Sequence, residues 1–167
     1  DLVRSRGLGD VYKRQEQRLA SPEFAGSAEN GKPLMVVSAT ISTSPTMIYF
    51  GQEVGEAGNE NGGFGSHSRT SIFDYMGVPN HQRWMNGGKF DGGQLSSSEK
   101  ELRNFYKTLL NFTLRSSALM GEYQEIHSAN AAITKGYLPE MYSFVRWSET
   151  QKSVSYTHLR AHETVLD

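Results

Sequence analysis

The most regular pattern of apolar and polar positions runs through "SSSEKELRNFYKTLLNFTLRS", Ser96 to Ser116. Leu102, Phe105, Tyr106, Leu109 and Phe112 recur at intervals of three and four, while Lys100, Arg103 and Lys107 fall elsewhere. That period predicts an amphipathic helix, opened by a capping box of Ser96 with Glu99 or Ser98 with Glu101. A second helical spacing, Leu34, Val37, Ile41 with Val36 and Thr40, begins at Pro33 after Asn30 or Gly31 as cap, and Pro45 stops it. β-branched residues in this run weaken the helical preference. Thr46 to Phe50, "TMIYF", is a short near-continuous apolar run, the pattern of a buried parallel strand covered on both faces. Beyond the long helix, "ALMGEYQEI" (118–126) and "MYSFVRW" (141–147) alternate with period two and predict strands.

Between Gly51 and Leu95 no period is sustained. Eleven of the 17 glycines lie here, interspersed with Phe64, Phe73, Tyr75, Trp84 and Phe90. A connection this long within a compact domain is generally functional or disordered, and disordered segments are poor in aromatics. An ordered, functional loop is the expectation.

The two ends of the chain are related at the level of DNA. Ser5 to Gln15, "SRGLGDVYKRQ", back-translates to a string whose reverse complement, read two bases in, encodes Val-Ser-Tyr-Thr-His-Leu-Arg-Ala-His-Glu, the run that begins at Val154. That DNA resembles the transposase adaptor used to prepare sequencing libraries. Residues 1–15 and 153–167 are therefore read as adaptor-derived and set aside from fold reasoning, as tags and fusion scars are. The glycine pair in Ser5–Gln15 then carries no phosphate-loop meaning.

Charge changes the picture little. The chain has 17 basic and 18 acidic residues and a formal net charge of −1, with no block of like charge to capture nucleic acid or an anionic membrane surface. No apolar run approaches the roughly 18 residues of a membrane span. Cysteine is absent, which removes disulfides and thiolate metal sites. His67, His81 and His127 lack metal-ligand spacing, and Asp74 and Asp91 read as turn formers.

The ordered series "SPTMIYFGQEVGE", "RTSIFDY", "WMNGGKFDGG" and "SSEKELRNFYKTLLNF" resembles the last-strand motif, final active-site loop and closing helix of the α-amylase superfamily, glycoside hydrolase family 13. "EQRLASPEFAG" is similar to the continuation of that family's seventh-strand motif, and the two period-two segments to the start of its C-terminal β domain. The resemblance implies an α/β fold: the last strand and helices of a (β/α)8 TIM barrel over 16–116, then the truncated start of an all-β domain over 117–152. In such barrels the site lies on loops after the strands' C-terminal ends. The implied partner is an α-glucan oligosaccharide or polysaccharide, with no cofactor, metal, nucleic acid or membrane. Substrate-binding candidates are Arg18, Glu53 and Trp84. Each also has a structural use: Arg18 as a salt-bridge partner, Glu53 as a buried hydrogen-bonded acid holding the loop, Trp84 with Phe90 and Tyr75 as loop anchors. Retaining glycosidases need two carboxyl groups about 5–5.5 Å apart. The family's Asp and Glu motifs have no match in this sequence, so no residue is assigned a catalytic role and the chain alone is expected to be inactive.

Overall fold

A computed structural model describes residues 18–22, 24–58 and 78–158. Their architecture is α+β, with four α-helices, three short 3-10 turns and one antiparallel sheet. The chain divides into two compact units, one drawn from 1–31 and 47–107 and the other from 32–46 and 108–167.

In the first unit Ala20, Ala25, Val54, Leu95, Leu102 and Tyr106 are buried. A 3-10 turn, Gln52–Val54, follows Gly51, whose φ of 77° lies in the left-handed region that favours glycine. A Cβ at Gly51 would also stand 3.0 Å from the Glu56 Cβ and 3.3 Å from that of His81. Helix α1 spans Gly31–Thr40 and carries the chain into the second unit. Helix α2, Pro79–Met85, opens on a proline, whose fixed φ and missing N–H suit a first turn. Helix α3, Ser97–Arg115, matches the expected amphipathic segment. Of the two possible capping boxes the fold uses Ser96 with Glu99: the Glu99 N–H donates to Ser96 Oγ at 3.3 Å and the Ser96 N–H to Glu99 Oε2 at 2.7 Å. Leu102, Tyr106 and Leu109 are its buried stripe, whereas Phe112 at the far end is 39% exposed.

The second unit buries Met35 and Ala39 of α1, Leu109 of α3, and Ala118, Leu119 and Phe144. A 3-10 turn, Ser117–Met120, leads into β1, Glu122–Glu125. Helix α4, His127–Ile133, separates β1 from β2, Met141–Trp147, and β3, Lys152–His158, completes a β1-β2-β3 meander. The register pairs Glu125 with Phe144 and Val145 with Val154, and a four-residue loop after Trp147 returns the chain at Lys152.

Two polar clusters fix this unit. Arg146, 2% exposed, donates to the carbonyls of Ile41 at 2.8 Å, Leu119 at 2.6 Å and Gly121 at 3.0 Å. One guanidinium thereby ties the end of α1, the 3-10 turn and the entry to β1. Fully buried Ser143 meets Asn130 Nδ2 of α4 at 3.2 Å and the Tyr137 hydroxyl at 2.8 Å, and that hydroxyl lies 2.9 Å from His127 Nδ1.

The barrel expectation is overturned. The strands among the described residues are antiparallel and sequential, and Thr46–Phe50 pairs with none of them. Four apolar residues in a row, Met47 to Phe50, carry no period, so they do not distinguish a strand from an apolar segment covered by other side chains. Gly51 turns the chain immediately afterwards, and the Tyr49 and Phe50 rings close on Arg18. The helix expected from Pro33 to Pro45 runs over Gly31–Thr40 and buries Met35, Ala39 and Thr40; of the expected positions Thr40 is buried, whereas Leu34, Val36, Val37 and Ile41 are only half-buried. The expected strand 118–126 is a 3-10 turn followed by four strand residues, whereas 141–147 is a strand over its whole length. The stretch 51–95 contains α2 and two 3-10 turns, and its residues 59–77, including Phe64, His67, Phe73, Asp74 and Tyr75, lie outside the described residues.

Candidate functional site

The first unit brings Arg18 and Trp84 into a single row of side chains. Arg18, 4% exposed, donates through Nη1 to the Phe50 carbonyl. Its guanidinium carbon sits 4.5 Å from the centroid of the Tyr49 ring and 4.5 Å from that of Phe50. Burial pulls the Arg18 pKa below its ordinary value, opposed by Glu56, Tyr49 and Glu53. A guanidinium is the cation suited to this place, because it is planar, weakly hydrated and stacks on aromatic faces.

From Phe50 the rings continue. Phe50 meets His81 edge-on at 5.5 Å, His81 stacks on Trp84 at 5.6 Å, and Trp84 meets Phe90 at 5.8 Å. Phe90 closes the row with 55% of its surface exposed and a φ of 54°. Arg103 lies over the Trp84 ring at 5.6 Å. Trp84 is therefore held between a histidine and a cation, and Phe90 is the ring that presents open surface.

The short helix α2 carries His81 and Trp84, and its position is set by hydrogen bonds. Glu56, 3% exposed, accepts the Asn80 N–H at 3.0 Å and the His81 N–H at 3.3 Å through Oε2. A carboxylate at a helix N-terminus satisfies orphan donors and opposes the helix dipole favourably. The Asn80 amide donates to the Val54 and Gly55 carbonyls at 3.0 and 3.1 Å, fastening α2 to the 3-10 turn. Arg83 donates through Nη2 to Asn80 Oδ1 at 2.7 Å, and through Nε to Glu99 at 3.1 and 3.3 Å. Gln52 Nε2 reaches the Tyr106 hydroxyl at 3.2 Å, whose pKa burial pushes up to about 12.

Glu53 is half-buried within the 3-10 turn. The fully buried, hydrogen-bonded carboxylate of this loop is Glu56, three residues on. Sequence reasoning passed over Glu56, Asn80 and Arg83. Pro79 was a usable signal: a proline at a first helical turn marks α2 and, with it, the donors that a carboxylate must cap.

Chemically, the row offers apolar ring surface beside a fixed cation and amide groups, an arrangement that binds more readily than it reacts. Glu56 Oε2 is occupied by two backbone donors, which commits it to holding α2. Among the described residues no group of three or more His, Asp or Glu could hold a metal ion, and no helix is long and apolar enough to cross a membrane. No protein-family model, curated protein or solved structure matches this chain.

Proposed function

We propose that the chain is part of a retaining α-glycosidase of the α-amylase superfamily, acting on α-glucans such as starch and maltooligosaccharides. It supplies sugar-contacting surface without the catalytic carboxylates, and is inactive by itself. The ordered motif series in the sequence supports the family. The observation that carries the binding role is the row Phe50–His81–Trp84–Phe90, braced at one end by buried Arg18 and open at the other through Phe90. Aromatic rings suit sugars because the C–H faces of a pyranose lie flat on them, and rigid rings lose little conformational entropy when they do so.

Calorimetric titration of the chain with maltoheptaose tests the reading. Saturable binding is expected, weakened about tenfold by Phe90→Ala or Trp84→Ala, a difference of roughly 1.4 kcal/mol. Absence of binding at millimolar sugar refutes it. A non-catalytic carbohydrate-binding protein is the second reading, because every carboxylate bonded within this site holds structure. Upstream Asp and Glu motifs in the complete gene select the enzyme; their absence selects the binding protein.

A further inference from the structure

Phe90, the open end of the ring row, is followed directly by Asp91, and the loop that carries both is tied to α2. The Phe90 N–H donates to the Met85 carbonyl at 2.9 Å, and the Gly92 N–H to that of Trp84 at 3.0 Å. Beside this loop lies a groove of about 320 Å³, whose walls include Trp84, Asp91, Leu95, Arg103 and Asn104. Its volume is at the lower end of the roughly 300–1,000 Å³ typical of small-molecule sites. The groove shares Trp84 with the ring row and so continues it past Phe90. Its opposite wall is α3, where Arg103 and Asn104 are neighbours on the exposed side.

Asp91 and Arg103 supply opposite halves of a hydrogen-bonding pattern. Asp91 Oδ1 accepts the Asn86 amide at 2.7 Å and the Gly93 N–H at 2.9 Å, which fixes the carboxylate at the rim with acceptor capacity to spare. The Arg103 guanidinium carbon is held 5.6 Å from the Trp84 ring centroid, and a guanidinium over a ring face keeps its in-plane N–H fork available. Among the described residues these two side chains form no ion pair with each other, and the Arg103 guanidinium has no hydrogen-bond acceptor, although both line one groove. A donor fork and an oriented acceptor thus face the same space unmatched.

We infer that the groove extends the glucan site to a further glucosyl unit and selects that unit by its free vicinal diol, with Arg103 as the specificity-determining residue. This rests on the glucan reading of the ring row. A diol presents two oxygens that accept and two hydroxyl protons to donate. The Arg103 fork donates to both oxygens, Asp91 accepts one of the hydroxyl protons, and the Asn104 amide can serve either way. An anionic ligand would use the fork and be repelled by Asp91; a cationic one would be repelled by Arg103. Interior units of an α-1,4-linked glucan keep the 2- and 3-hydroxyls free, whereas in an α-1,3-linked glucan the 3-oxygen is consumed by the linkage.

Calorimetric titration of the full chain with maltotetraose and with nigerotetraose, its α-1,3-linked counterpart, decides it. The parent is expected to bind maltotetraose at least about fivefold more tightly, the scale of one lost hydrogen bond. Arg103→Lys and Arg103→Gln should each lose that preference and about fivefold in maltotetraose affinity, because an ammonium keeps the charge beside Trp84 but not the fork. Circular dichroism and melting profiles equal to those of the parent show that the variants fold, and the linkage preference of the parent needs no variant. Equal affinity of the parent for both sugars overturns the inference. So does parental affinity in Arg103→Lys, which would make Arg103 a brace for Trp84 and nothing more. In either case, maltotetraose binding that weakens in Phe90→Ala leaves the glucan reading of the row standing; no saturable binding of either sugar overturns both.

Discussion

Glu56→Ala is the sharpest perturbation of the first unit. The side chain is 3% exposed and its Oε2 accepts the Asn80 and His81 N–H groups at 3.0 and 3.3 Å. A hydrogen bond to a charged group contributes about 1.5–3 kcal/mol net, and a carboxylate at a helix N-terminus adds about 0.3–1 kcal/mol. The two bonds share one oxygen and are not additive, so the expected loss is about 2–4 kcal/mol. Glu56→Gln keeps the shape and one acceptor oxygen but not the charge, and is expected to cost about 1 kcal/mol. Urea unfolding gives the global value, with the midpoint falling and the slope unchanged. Amide hydrogen exchange gives the local one: Asn80 and His81 lose protection first, before the amides of α3. Because α2 carries His81 and Trp84, maltoheptaose affinity falls in step. An unchanged midpoint together with unchanged exchange at Asn80 and His81 would refute the assignment of Glu56 as the anchor of α2.

The second unit and the ion pair of the first give two further tests. Arg146→Met keeps the stem of the side chain but abandons three backbone carbonyls, and should cost about 3 kcal/mol, read as a lowered denaturation midpoint; a loss under about 0.5 kcal/mol, the scale of an ordinary surface change, would show that the clamp carries no stability. Burial pushes the Glu99 carboxyl up, but its bonds to Arg83 and Ser96 outweigh this and leave it below the ordinary glutamate range. A carboxyl depressed in the folded state contributes stability that is complete above its unfolded pKa, about 4.3, and drains away as pH falls through the lower folded value. Urea midpoints of the parent should therefore decline below about pH 4.3 more steeply than those of Glu99→Gln, and parallel profiles would contradict this.

What the sequence made legible depended on how local each signal was. Helix α3 and strand β2 stood out because the signal lay within one segment: period and the cap of Ser96 with Glu99 for the helix, a short aromatic-rich run through Met141–Trp147 for the strand. Thr46–Phe50 misled because an apolar run reports burial without saying what buries it; its rings are covered by Arg18, 31 positions before Tyr49 and 32 before Phe50. β3 lay outside the expectation because residues 153–158 belong to the stretch read as adaptor, yet they pair with β2 from Lys152 to His158. Ladder bonds are made by backbone, which nearly any sequence carries, and the alternation of Ser153, Ser155 and Thr157 with Val154 and Tyr156 is enough to fill the edge. Val154 and Tyr156 remain 53% and 57% exposed, the mark of a strand held by its backbone more than by packing. Arg18 and Trp84 were visible as residue types suited to sugar, but their link through Phe50 and His81 is tertiary. Glu56 was hidden for the same reason, since its partners lie 24 and 25 residues away.

The ring row as a sugar-binding surface is tested most directly by nuclear magnetic resonance of the chain titrated with maltoheptaose. The chain has two tryptophans, Trp84 and Trp147, so Trp84→Phe assigns both indole signals. The Trp84 indole and the amides of Phe50, His81 and Phe90 should shift together and saturate, while Trp147 stays still and the solution gains no reducing ends. Shifts confined to Trp147, no shifts at all, or release of maltose by the chain alone would contradict the account.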